Sequence, residues 1–116
     1  MIPAQDGRSH SDPIVVLMGG PGEGAIGAAS LYARQFAPLL QDRDLLLIDE
    51  RGTGQSGALH CDLRSPQDPE AVLRDLFPPG AVKQCEERLR NRADLTQYGY
   101  ARFADDLELA RRALKF

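Results

Sequence analysis

The sequence predicts a mixed α/β fold with a parallel βαβ unit near its start. Ile14 to Met18 is an apolar run without polar interruption, and Asp44 to Asp49 encloses a second run of the same kind. Unalternating apolar runs are typical of strands buried on both faces, and such strands belong to parallel sheets covered by helices. An alanine-rich stretch separates the two runs, which gives the strand, helix, strand order of a right-handed βαβ unit.

The elements of this unit follow from local composition. Residues 1–13 are polar and aperiodic, so we expect an irregular lead-in before the first strand at Ile14 to Met18. A glycine-rich loop follows, and then a helix from about Ala28 that breaks near Pro38. The second strand ends at Asp49, where another glycine-rich loop begins.

The rest of the chain divides into a connection and a closing helix. We assign residues 14–57 to the βαβ core, 58–99 to a proline-rich connection and 100–115 to the closing helix. Within the connection, residues 70–76 allow a short helical piece, and residues 82–92 are charged and permit a helix. The closing helix has acidic residues before basic ones and apolar residues at helical spacing: Tyr100, Phe103, Ala104, Leu107, Ala110, Ala113 and Leu114.

Composition excludes several classes of protein. With 42% hydrophobic and 27% charged residues, the chain is typical of one soluble globular domain or of a piece of one. A net charge of -3 offers no basic surface for nucleic acid, and no apolar run reaches membrane-spanning length. The first twelve residues lack the basic start and apolar core of a signal peptide. We therefore expect no nucleic-acid partner and no membrane-spanning segment.

The two cysteines, Cys61 and Cys85, leave two interpretations open. Unpaired buried thiols are common in cytosolic proteins. A disulfide would contribute about 3 kcal/mol on the chain-entropy model, given an oxidising compartment and suitable geometry. A zinc site is not expected, because His60 is the nearest histidine and no fourth ligand stands at a suitable spacing.

The segment Gly22 to Gly27 matches the dinucleotide-binding pattern G-x-G-x-x-G. Asp49 follows at the distance where an acidic residue would bind the ribose. The pattern should begin where the strand ends, but Gly19 to Pro21 intervenes and would displace the loop from the pyrophosphate. A dinucleotide-binding fragment remains an alternative, whereas a Walker loop is excluded because no lysine precedes Lys83.

The segment Gly54 to Ala58 is similar to a nucleophile elbow with Ser56 at its centre. An elbow needs its serine on a sharp turn directly between a strand and a helix. Ser56 lies well past the second strand, and the residues after it do not resemble a helix start. We interpret Ser56 as a turn residue and His60 as an exposed loop residue rather than its general base.

The glycine loop after the first strand is a candidate oxyanion hole. The backbone of this loop can expose its N–H groups, because glycine stands at positions 19, 20 and 22. Exposed N–H groups stabilise negative charge that develops on a carbonyl oxygen. The alternative is a structural strand-to-helix turn. The oxyanion hypothesis is favoured because a second motif, Asp49 to Ser56, follows the second strand.

This pair of motifs resembles the peptidase branch of the α/β-hydrolases, the proline iminopeptidases and tripeptidyl aminopeptidase-like serine hydrolases. Their chains carry an H-G-G-P-G type loop and then a D-x-R-G-x-G-x-S loop. Here Met18 stands where many members have His, which favours the tripeptidyl aminopeptidase-like branch. Two further features resemble those of that branch: the cysteines Cys61 and Cys85, and the helix from Tyr100 to Leu114.

The resemblance implies a partial α/β-hydrolase fold and a role for each matched residue. Gly20, with Gly19, would supply the backbone amide of the oxyanion hole, and Gly20-Pro21 would be a cis bond. The remaining motif residues would maintain the structure of the loops near the site: Pro21, Gly22, Asp49, Arg51, Gly52, Gly54 and Ser56. The family's nucleophile lies on a strand that follows the closing helix, and its acid and base come later still.

The resemblance thus implies a fragment of a secreted or envelope-associated serine hydrolase that acts on peptide or small amide or ester bonds. It implies no metal and no cofactor. We expect the chain alone to be inactive, because it lacks the nucleophile, acid and base, and to fold poorly with its strand edges exposed. A dinucleotide-binding oxidoreductase fragment and a non-catalytic interaction module are the alternatives.

Overall fold

The computed structural model describes residues 1–8, 12–20, 22–63, 73 and 75–116. The chain forms two compact units, and the first contains residues 1–58 together with 99–116. The second contains residues 59–98. Together the units have a mixed α/β composition of helices and one small parallel sheet.

The first unit contains the predicted parallel strand pair. Strand β1 is Ile14–Val16 and strand β2 is Leu45–Leu47, with Val15 opposite Leu46 in the register. Helix α1, Ala29–Gln35, lies between them in sequence and follows a 3-10 turn. The predicted strand, helix, strand order is therefore confirmed, with shorter strands than the apolar runs suggested.

The core of this unit lies on one face of the sheet. Side chains alternate between the faces of a strand, so Leu45 and Leu47 share a face while Leu46 points to the other. The core contains Val16, Ala25, Leu40, Leu45 and Leu47, with Ile14, Met18, Tyr32 and Phe36 packed against them. Strand β2 is buried throughout, but Val15 is 41% and Leu17 64% exposed. The prediction that the first apolar run is buried on both faces was wrong, because no described element fully covers its second face.

The lead-in is more ordered than its composition predicted. Ile2 forms an antiparallel bridge with Leu45, and each of the two residues donates an N–H bond of 2.8 Å to the other. The Ala4 amide donates to the buried Asp44 Oδ1 at 2.7 Å. A single bridge leaves no periodic pattern in the sequence, which is why these residues looked irregular.

The closing helix is helix α3, Tyr100–Ala113, which confirms the predicted element. Phe103 is the one buried residue of this helix, with 8% exposed. Tyr100, which the spacing placed on the apolar face, is 84% exposed. The apolar spacing of residues 100–114 therefore predicted the helix correctly, but it overestimated how much of the helix is buried.

The second unit consists of helix α2, Pro79–Arg90, a 3-10 turn at Leu95–Gln97 and a disulfide between Cys61 and Cys85 with an S–S distance of 2.01 Å. The helix permitted at residues 82–92 is therefore present and begins earlier, with Pro79 in its first turn, where a missing N–H costs nothing. Most of the helical piece expected at 70–76 lies outside the described residues. None of the helices in the described ranges is long and apolar enough to cross a bilayer.

Candidate functional site

The first glycine loop leaves strand β1 in a conformation that requires glycine at two positions. Gly20 has φ +84° and Gly22 has φ +91°, a region that L side chains rarely adopt. The Glu23 amide donates to the Gly20 carbonyl at 3.1 Å, which closes a turn. A side chain at Gly20 or Gly22 would therefore strain the loop.

The amides of Gly19 and Gly20 are the predicted oxyanion donors. Both residues are exposed. Within the described ranges, neither amide donates to a backbone carbonyl or to a side chain. Pro21, and with it the predicted cis bond, lies outside the described residues. The loop thus presents two amide groups that have no acceptor in the part of the chain that the structure describes.

Asp49 joins the two glycine loops. Its side chain is almost fully buried, with 3% of the residue exposed. The Ile26 amide donates to its Oδ1 at 2.8 Å, and the Gln55 amide donates to its Oδ2 at 2.7 Å. Because each oxygen holds a different loop, this one carboxylate fixes the first loop against the second.

Two glycines make room for this carboxylate. A Cβ atom on Gly24 would lie 2.8 Å from Asp49 Oδ1 and 3.0 Å from the Gly54 Cα, and a Cβ atom on Gly54 would overlap Asp49 Oδ2. The backbones of the two loops therefore approach each other at Gly24 and Gly54. The motif comparison identified Gly54 as structural but overlooked Gly24, whose role depends on a contact between loops that are distant in sequence.

The second loop is a compact turn that contains Ser56. The Ser56 amide donates to the Thr53 carbonyl at 2.8 Å, and the Gly52 amide donates to the Ser56 carbonyl at 2.8 Å. The buried Thr53 also donates its hydroxyl to the Glu50 carbonyl at 2.8 Å. Ser56 is exposed, and the described residues 57–63 that follow it contain no helix. Its position is that of a turn residue, not that of a serine between a strand and a helix.

Arg51 attaches the second loop to helix α3. Its Nε and Nη2 donate to the two oxygens of Asp106, at 2.7 Å and 2.5 Å. These bonds hold the pKa of the Asp106 carboxyl below its ordinary value, because they favour the charged form. The sequence did not identify Asp106 as the partner of Arg51. The sequence indicated only that the predicted closing helix carries acidic residues and comes later in the chain than the motif that contains Arg51.

Met18 and Tyr32 connect the start of the first loop with helix α1. The Tyr32 hydroxyl donates to the Met18 Sδ at 2.7 Å. Thioether sulfur is a weak acceptor, so this bond orients Met18 more than it stabilises the fold.

Comparisons of the chain with protein-family models, curated proteins and solved structures found no match.

The remaining candidate residues lie in the second unit. His60 Nε2 and Asp62 Oδ1 are 3.0 Å apart, and both side chains are 79% exposed. In the part of the chain that the structure describes, no three His, Cys, Asp or Glu side chains gather as metal ligands. The disulfide between Cys61 and Cys85 is compatible with an extracellular location.

An apolar groove of about 510 Å³ lies on the second face of the sheet, in the first unit. Its floor is formed by Val15, Leu17 and Leu46, and one wall by Ala104 and Leu107 of helix α3. Glu108 and Arg111 lie at its rim and bond each other at 2.7 Å. Arg111 and Arg112 together lower the pKa of Glu108 to about 2, so this rim is charged at neutral pH.

Proposed function

We propose that this chain is a segment of an α/β-hydrolase of the aminopeptidase-like serine peptidase branch, and that its first glycine loop supplies oxyanion-hole amides. The observation that carries the proposal is the pair of exposed amides at Gly19 and Gly20, which have no acceptor among the described residues. They follow strand β1 after Leu17 and Met18. Ligands of open α/β sheets bind beyond the carboxyl ends of parallel strands, which is where this loop lies.

The hydrogen bonds around the two loops also support the proposal. Oxyanion donors act well when they are already oriented toward the charge that develops in the transition state. Asp49 holds the turn at Ile26, which follows the first loop, against the second loop, and Arg51 holds the second loop on helix α3. The segment that follows the donors is therefore fixed to the second loop.

In the complete enzyme, a serine would attack the carbonyl of a peptide or of a small amide or ester. The oxygen of that carbonyl becomes negatively charged, and Gly20, with Gly19, would donate N–H bonds to it. An acyl-enzyme would then be hydrolysed by a water that a histidine activates. This chain contributes the oxyanion side of the site, no cofactor is needed, and a secreted or envelope location follows from the same resemblance.

The dinucleotide alternative is less well supported. Its ribose-binding residue would be Asp49, but both oxygens of Asp49 accept bonds from the protein's own backbone. Gly24, the second glycine of that pattern, packs against the same carboxylate. The groove on the sheet is the kind of apolar patch that a non-catalytic interaction module requires, but it is equally expected of a sheet that continues in a larger domain.

The proposal is tested with two proteins: the 116-residue chain, and a longer protein that includes the residues encoded after Phe116. We expect no hydrolysis of peptidyl p-nitroanilides by the chain. We expect the longer protein to be labelled by a fluorophosphonate on a serine beyond Phe116. In it, Gly20→Ala should lower kcat about 100-fold, since a displaced oxyanion donor costs on this order.

Gly27→Ala is the matched control, because a Cβ there meets no atom within 4 Å and the residue belongs to a 3-10 turn away from the donors. It should retain nearly full kcat. The proposal fails if Gly20→Ala and Gly27→Ala have equal activities, if no serine is labelled, or if the 116-residue chain hydrolyses the substrate by itself.

A further inference from the structure

The second unit lacks an apolar core of its own among its described residues. No described side chain between Leu59 and Tyr98 is buried. Several of its apolar side chains face the solvent: Leu73 is 84%, Leu76 61%, Phe77 66% and Val82 39% exposed. Four further leucines are only half-buried: Leu59, Leu63, Leu89 and Leu95. Burial of apolar surface is the main source of folding free energy. Because no described side chain of this unit is buried, apolar burial contributes little to the order of its described part.

Helix α2 is also weak by its own composition. It has 12 residues, and isolated helices of this length are marginal in water. No side chain caps its first turn, and no acidic residue lies there to complement the helix dipole. The pair Glu86 and Arg90 is exposed, and an exposed ion pair contributes little to stability. The helix therefore needs a constraint from outside itself.

The disulfide provides that constraint. Cys85 lies in the middle of helix α2, and its bond to Cys61 closes a segment with a sequence separation of 24. A cross-link over this length removes conformational freedom from the unfolded chain on the loop-closure model, which stabilises the folded segment. It is a covalent constraint on a helix that has no buried side chain of its own.

We propose that the Cys61–Cys85 bond is a redox-sensitive device that keeps helix α2 ordered. Its reduction would release helix α2 locally while the first unit stays folded. The first unit does not depend on this bond, because it has its own buried cluster around Leu45 and its own sheet. Local unfolding with a free energy below that of the whole protein is a general property of weakly packed segments. The inference does not depend on the proposed hydrolase function.

The chemical step is a thiol–disulfide exchange with a dithiol. A thiolate of the dithiol attacks one sulfur, breaks the bond between the two cysteines and forms a mixed disulfide, and the second thiol of the reagent then displaces the remaining cysteine. Cys61 and Cys85 take up two electrons and two protons and become thiols, while the dithiol becomes a cyclic disulfide. Both cysteines are half-buried and so retain access to solvent.

The test is amide hydrogen exchange of the full chain, measured by mass spectrometry with and without dithiothreitol. We expect exchange of peptides within Pro79–Arg90 to accelerate at least about tenfold on reduction, and exchange of peptides that contain Leu45–Leu47 to change less than about twofold. The double variant Cys61→Ser, Cys85→Ser is the control. It should exchange like the reduced protein and should not respond to dithiothreitol.

Two results would overturn the inference. One is equal exchange of helix α2 in the oxidised and reduced proteins, which would mean that the bond does not order the helix. The other is an equal acceleration at Leu45–Leu47, which would mean that reduction unfolds both units together.

Discussion

At the scale of single residues, Asp49 has the largest structural role near the candidate site. It is buried, and its two oxygens accept bonds from the Ile26 and Gln55 amides. A buried carboxylate is tolerated only when its oxygens are paired. The aspartate of the D-x-R-G-x-G-x-S motif is thus explained by loop structure, without any contact with a substrate.

We predict that Asp49→Asn destabilises the first unit by about 1 to 3 kcal/mol, because the amide nitrogen cannot accept a bond and leaves one buried N–H unpaired. The unfolding midpoint in urea, followed by circular dichroism, measures the change. Asp105→Asn is the control: its side chain is 64% exposed, and the change should stay within about 0.5 kcal/mol. Equal midpoints for the two variants would show that Asp49 does not hold the loops.

The pair formed by Arg51 and Asp106 makes stability depend on pH. The folded-state pKa of Asp106 lies below its ordinary value of 3.8, so the unfolded chain binds the proton more readily. The stabilisation is therefore fully present above pH 3.8 and is lost as the pH falls through the lower folded-state pKa.

We predict that Asp106→Asn lowers stability at neutral pH by about 1 kcal/mol, since the two hydrogen bonds are well formed but partly solvated. The difference from the natural chain should shrink as the pH falls below 3.8 and Asp106 becomes protonated. Urea midpoints at neutral pH and at successively lower pH values measure it, again with Asp105→Asn as the matched control. A difference that is the same at all of these pH values would exclude a charge-dependent contribution.

At the scale of elements, strand β1 has an open edge. The Ile14 amide donates to the Asp44 carbonyl at 2.8 Å, so it points toward strand β2. Backbone groups alternate in direction along a strand, and those of Val15 and Leu17 therefore point away from strand β2. In the described ranges, no residue accepts from their amides. Together with the apolar groove, this edge is a surface on which chains can associate.

We predict that the chain associates at high concentration and that Leu17→Lys raises the monomer fraction, because a charge on an exposed edge opposes strand pairing. Leu17 is 64% exposed and lines the groove. Leu109→Lys is the matched control, since Leu109 is 63% exposed on helix α3 and does not line it. Sedimentation velocity measures the fractions. If both variants change association equally, added charge is the cause and the edge is not.

At the scale of the whole molecule, the chain combines two units with different sources of order. The first has a sheet and a buried cluster, and the second has a helix and a disulfide. The sequence analysis assigned residues 58–99 to a proline-rich connection within one domain. Composition does not show whether such a region forms a compact unit of its own, because that depends on contacts between separate segments.

The sequence by itself determined the local elements. Strands β1 and β2 follow from uninterrupted apolar runs, helix α1 from an alanine-rich stretch and helix α3 from apolar residues at helical spacing. The glycine loops follow from composition. These properties depend on neighbours in the chain. The tertiary structure decided which faces are covered, that Ile2 pairs with strand β2, that Asp49 binds Ile26, and that Asp106 binds Arg51. The members of the last two pairs are 23 and 55 positions apart in sequence. Such contacts depend on how separate segments meet in space, and no local pattern of residues records that.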